Sequence, residues 1–189
     1  VGGLDFHVTG SGPARISVHY GEDKAEPAMT EPYTSNWFYL PVDTFEIAAG
    51  PAAFRTPGRR AFRYARIVLD PGSTPLIFSD VAAIHQHYPV TLRGRFACSD
   101  DRLNRIWENS ERTTRLCMQH FYEDGVKRDG ILWIGDFRLQ YLFNAMLYGD
   151  TCLARSALRL IAATQNADGS LPACAARAGA HQHPDLIEY

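Results

Sequence analysis

The chain has 189 residues, 46% of them hydrophobic and 21% charged, enough apolar material for one large core or two small ones. A net charge of −2 without any Lys/Arg run offers little to a nucleic acid or an anionic membrane, so neither is expected as a partner. No apolar stretch is long enough to span a bilayer.

Val1-Gly2-Gly3 leads straight into a strand pattern. No charged start and apolar stretch of a signal peptide precedes it, and there is no initiator Met, so the chain is expected to begin inside a longer protein. Leu4, Phe6 and Val8 alternate with Asp5 and His7, and Ile16, Val18 and Tyr20 alternate with Arg15, Ser17 and His19. Phe62, Tyr64, Arg66 and Val68 alternate again between Arg60 and Leu69. A period of two marks half-buried strands. Turn signals separate them at Gly10-Ser11-Gly12-Pro13, Ala49-Gly50-Pro51, Thr56-Pro57-Gly58 and Asp70-Pro71-Gly72. The pattern predicts an antiparallel β-sandwich over residues 1–95.

Near Arg95 to Ser99 the period changes to 3.6, and residues 96–189 are expected to form a second, helical domain. Ser99 is placed as the cap of a first helix running to about Phe121, with Asp100 and Asp101 at its positive end. A second helix, about Asp136 to Tyr148, is apolar nearly all round, and Gly149 suits the position just past its end. A third, about Thr151 to Thr164, precedes the turn Asp168-Gly169-Ser170-Leu171-Pro172. No strand is expected between 99 and 164. Three helices do not enclose so apolar a second helix, so its cover is expected from a further part of the domain or from a second copy of the chain. Cys98, Cys117, Cys152 and Cys174 fit neither a zinc motif nor a compact disulfide scaffold and are read as buried thiols; the compartment stays open.

Between the first two helices, residues 122–136 hold four carboxylates, two cations and a Trp. Two readings are open from the residues alone. One is a solvated loop in which Asp136 caps the second helix. The other is a sugar site: glycosidic cleavage needs a carboxylic acid to protonate the leaving oxygen and a second carboxylate to activate water or attack the anomeric carbon. Neighbouring negative charge keeps such an acid protonated, further carboxylates bind hydroxyls, and an aromatic face covers the apolar side of the ring.

The order Asp124, Gly125, Lys127, Arg128, Asp129, Trp133, Gly135, Asp136 resembles the signature loop of bacterial α-L-rhamnosidases, one form of which reads D-G-x-K-R-D-R-x-x-W-x-G-D. The likeness extends to Arg63-Tyr64-Ala65-Arg66-Ile67, to Tyr88-Pro89, to Gly94-Arg95-Phe96, to Leu103-Asn104-Arg105-Ile106-Trp107 and to Asp168-Gly169-Ser170-Leu171-Pro172. It covers residues 60–189 well and the first sixty loosely.

This resemblance implies a β-sandwich followed by the first helices of an α/α (six-hairpin) barrel, with the loop at its mouth. It implies hydrolysis of terminal α-L-rhamnosides with inversion and no cofactor. Asp129 would be the general acid, Glu123 or Asp124 together with Asp136 would bind rhamnose hydroxyls, Arg128, alone or with Lys127, would orient these carboxylates, and Trp133 would line the pocket. In another form of the motif the acid is a Glu, and Asp129 aligns with an acidic residue either way. The motif's second Arg is Gly130 here. The family's base, a Glu from later in the barrel, has no counterpart in the chain, Glu188 being too early.

Other chemistries are weakly signalled. His85-x-His87 and His181-x-His183 lack third and fourth ligands for a metal. No nucleophile elbow or phosphate-binding glycine loop is present.

Overall fold

The computed structural model describes residues 1–29, 42–127 and 130–175. The chain divides into two compact units, Val1–Gln86 and His87–Tyr189.

In the first unit the strands are β1 (Gly2–Gly10), β2 (Ala14–Gly21), β3 (Val42–Ile47), β4 (Gly50–Arg55), β5 (Tyr64–Leu69) and β6 (Leu76–His85). They form two three-stranded sheets, ordered β4-β1-β6 and β3-β2-β5, with every pair antiparallel. The two strands with the cleanest alternation therefore lie at the two sheet centres. Their inward faces, Leu4, Phe6 and Val8 from β1 and Ile16, Val18 and Tyr20 from β2, are each no more than 6% exposed and share one core. Phe6 is its hub, with the rings of Phe45, Phe54 and Phe78 centred 5.4, 5.7 and 5.9 Å away. Sheets that bury one face each against the other make an antiparallel sandwich.

β6 carries no alternation that the sequence reveals, and the structure shows why. Its register against β1 shifts between Asp5 and His7, with Asp5 opposite Ala82 and His7 opposite Ser79. Asp80, in the extra stretch, has a positive φ of 51°. Such a bulge breaks the period of two on which a strand is recognised. Polar closure comes from Asp43, only 5% exposed, whose carboxylate accepts from the Tyr20 hydroxyl at 2.7 Å and from Arg60 Nε and Nη2 at 3.2 and 2.5 Å.

The second unit contains α1 (Asp101–Cys117), β7 (Leu132–Trp133), α2 (Ile134–Leu147), α3 (Cys152–Ala163) and β8 (Cys174–Ala175). The cap of α1 is Asp100, not Ser99: Asp100 is extended, and its side chain accepts from the Arg102 amide. Asn104 bonds Cys98 in both directions just before, which holds Ser99 outside the helix. The helix stops at Cys117, short of Phe121, because Met118 turns extended and bridges to Tyr122. α2 starts two residues early, at Ile134, so Asp136 lies in its first turn and does not cap it; the cap position is Trp133. Gly149, φ +64°, follows the cap residue Tyr148 as expected. The expectation of no strand between 99 and 164 fails at β7, which pairs with β8.

The chain before α1 is anchored on the helices. The amides of Arg93 and Gly94 both donate to Leu147 O, satisfying a carbonyl that the end of α2 leaves free. A Cβ on Gly94 would stand 2.3 Å from Met146 O, so only glycine permits this approach.

The core of this unit gathers Met118, Tyr122, Leu132, Phe137, Leu147, Leu153, Ala157 and Ile161. Much of α2 stays uncovered: Leu139, Leu142, Phe143 and Met146 are 46 to 61% exposed. Cys98 and Cys152 are also exposed, against expectation, since Cys98 sits in the turn before α1 and Cys152 opens α3; Cys174 is buried. No helix among the described residues is long and apolar enough to cross a membrane.

Candidate active site

The loop between α1 and α2 is held at both ends by backbone bonds. At its root the Glu123 amide donates to Cys117 O at 2.8 Å, and Tyr122, fully buried, fills the core below. Across the loop the Asp124 amide donates to Ile131 O at 3.1 Å, and the Gly130 amide to Gly125 O at 2.9 Å. At the far end Leu132 and Trp133 pair with Ala175 and Cys174, and the Ile134 amide donates to Ala173 O at 3.0 Å. The short β7–β8 ribbon thus brings the segment after the Asp168 turn against the loop. That turn is itself fixed: the Ser170 amide and hydroxyl donate to Asp168, which holds its carboxyl below the usual carboxylate range.

The expected site residues border this loop. Glu123 is 2% exposed and lies inside the protein, whereas its neighbour Asp124 is half-buried and faces partly outward. Lys127 and Trp133 are half-buried, and Trp133 leads directly into α2. Asp136 is exposed in the first turn of α2, at the positive end of the helix. Arg128 and Asp129 lie outside the described residues, as do His181 and His183. Gly130 has φ +60°, a left-handed conformation that a side chain disfavours, so the glycine in place of the motif's second Arg matches the backbone it adopts.

Negative charge is felt at the loop root. The Cys117 thiol is pushed up to about 11, first by burial and then by the charges of Asp124 and Glu123. Burial, with the charge of Asp150, also raises the Tyr122 phenol. Among the described residues no group of three or more His, Cys, Asp and Glu side chains converges as a metal site.

Two polar residues missed by motif reading touch the loop root from α2. Gln140 Nε2 donates to Glu123 O at 3.1 Å, and Asn144 Nδ2 donates to Tyr122 Oη at 2.7 Å and to Asp150 O at 2.5 Å. A signal was available: Asp136, Gln140 and Asn144 recur every fourth residue on a helix whose one other charged residue is Arg138. A groove of about 500 Å³ between α1 and α2, lined by Trp107, Thr114, Cys117, Gln140 and Phe143, runs behind this root.

A family profile described as the bacterial alpha-L-rhamnosidase 6 hairpin glycosidase domain matches residues 92–186, which include the whole loop. A GH78 family rhamnosidase of Bacillus sp. GL1 is similar in structure at a TM-score of 0.74 and 29% identity, over 86% of this chain and 17% of that one. A rhamnosidase from Klebsiella oxytoca, solved with rhamnose bound, is similar at a TM-score of 0.70 and 27% identity, over 100% of this chain and 38% of that one. The chain therefore spans well under half the length of either solved relative. No curated protein matches it. The family match across half of the chain, the two similar solved structures, and the sandwich followed by helices lead to one identification: the chain belongs to the bacterial α-L-rhamnosidase family of six-hairpin glycosidases.

Proposed function

We propose that this chain is part of a glycoside hydrolase that removes terminal α-L-rhamnose from glycosides or polysaccharides with inversion. Its residues 1–95 are assigned to the end of a β-sandwich domain and residues 96–189 to the opening of an α/α-barrel. The observation that carries the reading is the loop from Asp124 to Asp136, whose acidic and aromatic residues keep the family's order inside the matched region. The uncovered apolar side chains of α2 fit a barrel whose further helices pack on them.

In this reading Asp129 is the general acid that protonates the leaving oxygen. Asp124 and Asp136 accept hydrogen bonds from sugar hydroxyls, Arg128 orients the carboxylates, and Trp133 covers the apolar side of the ring. Glu123, buried beside Asp124, adds negative charge from within. An acid catalyst must stay protonated, which the negative charge of Asp124 and Asp136 would favour and the positive charge of Arg128 would oppose. The catalytic base is supplied by a later part of the barrel.

In the full-length protein, Asp129→Asn is expected to cut turnover of an unactivated rhamnoside by about two to four orders of magnitude, the reach of general acid catalysis. An aryl rhamnoside with a very good leaving group needs less protonation and should lose less. Asp136→Asn should weaken both, since it acts on the sugar and not on the leaving group. Equal activity of Asp129→Asn and wild type on both substrates refutes the acid assignment. A second reading, a carbohydrate-binding protein without turnover, is favoured by Gly130, which removes a cation beside the acid. Intact wild type that binds rhamnose and cleaves neither substrate would establish it.

A further inference from the structure

α2 carries one polar stripe, and it runs from the surface into the core. Asp136 is exposed, Gln140 half-buried and Asn144 0% exposed, at a spacing that places all three on one side of the helix. The two amides both donate to the root of the acid loop, Gln140 to Glu123 O and Asn144 to Tyr122 Oη. Among the described residues each also leaves a buried oxygen without a hydrogen-bond partner, Gln140 Oε1 and Asn144 Oδ1. A buried unsatisfied carbonyl is destabilising, and a Leu or Met of similar volume would avoid it. Packing alone therefore does not favour amides here; what they add is the donation to the loop and, for Asn144, also to Asp150 O.

Resting on the rhamnosidase reading above, we propose that Gln140, with Asn144 behind it, is a positioning residue for the acid loop. Asp124 directly follows the residue whose carbonyl Gln140 holds, and Asp136 lies one turn earlier on the same helix as Gln140. The Gln140 amide is thus a rung between the two carboxylates assigned to the sugar, fixing one relative to the other. Without it the loop root opens more often, and only the closed fraction presents both carboxylates together. Substrate binding draws the population back to the closed form, so the cost falls on apparent affinity and not on turnover at saturation.

The test uses Gln140→Met in the full-length protein, which keeps the side-chain length and removes the donor. Loss of one neutral hydrogen bond changes a population by about two- to tenfold. The KM for an aryl α-L-rhamnoside should rise by at most that factor, because it follows the closed fraction and not the open-to-closed ratio, while kcat stays within about twofold of wild type. Amide exchange of Glu123 and Asp124 should quicken by a similar factor, with α1 and α3 unchanged, and L-rhamnose should restore the protection. A role confined to stability would instead lower apparent kcat through inactive enzyme and leave KM alone, and that result overturns the proposal. So does unchanged exchange at Glu123 and Asp124. A wild type that neither cleaves the rhamnoside nor gains protection with rhamnose defeats the rhamnosidase reading; the exchange comparison without ligand then still decides whether Gln140 holds the loop.

Discussion

Removing the guanidinium that faces Asp43 should strand a charge inside the sandwich. Asp43 is 5% exposed, and three donor groups serve its carboxylate, the Tyr20 hydroxyl and two nitrogens of Arg60. The Arg60 side chain is itself only 19% exposed, so water replaces it poorly. In Arg60→Met the carboxylate keeps one neutral donor. Breaking a buried pair from one side costs about 3–5 kcal/mol, and the residual exposure of Arg60 places the expectation near the lower figure. In Asp43→Asn/Arg60→Met no charge is buried, and the loss should shrink to about 1 kcal/mol, the worth of an ordinary hydrogen bond. The double variant should therefore be the more stable by about 2 kcal/mol. Amide exchange of β2 in the full-length protein reads the opening of the sandwich without requiring two-state unfolding of the whole. A single variant as stable as the double refutes the reasoning.

Further expectations follow from the loop. Because the Cys117 thiol is pushed up to about 11, its thiolate is scarce at pH 8, and iodoacetamide should label the exposed Cys98 and Cys152 first; mass spectrometry that finds Cys117 labelled at the same rate contradicts this. Gly130→Ala should destabilise the loop by about 1 kcal/mol, the strain of a left-handed alanine, and Gly130→Asn by less. Faster exchange at the Asp124 amide, which donates to Ile131 O, measures both, and equal effects of Ala and Asn would count against a backbone cause.

What was legible in the sequence had local causes. Leu4, Phe6 and Val8, with Ile16, Val18 and Tyr20, alternate because each strand buries one face, and those residues are the core. Helix positions were readable to within a few residues, missing where a neighbour decides the end, as Asn104 does for Ser99 and Tyr122 for Met118. Strand order was not legible, since nothing in β1 names β4 and β6 as its partners. The bulge at Asp80 hid β6, and two-residue strands such as β7 have no period at all. The motif marked the loop, but not that Glu123 turns inward while Asp124 turns out, because adjacent residues in an irregular segment follow no period. Gln140 and Asn144 belong to no motif, and their role depends on partners in the loop, Glu123 O and Tyr122 Oη, whose position no helical period gives.

The β7–β8 ribbon imposes an order on synthesis. Leu132 and Trp133 pair with Ala175 and Cys174, and the Ile134 amide donates to Ala173 O. Until the ribosome has passed those residues, this end of the acid loop lacks its ribbon, although α1, α2 and α3 are already complete. Helices form from local bonds and settle early, whereas this pairing must wait for a distant stretch of chain. The loop thus gains the last of these backbone anchors late, after the segment that closes it has emerged.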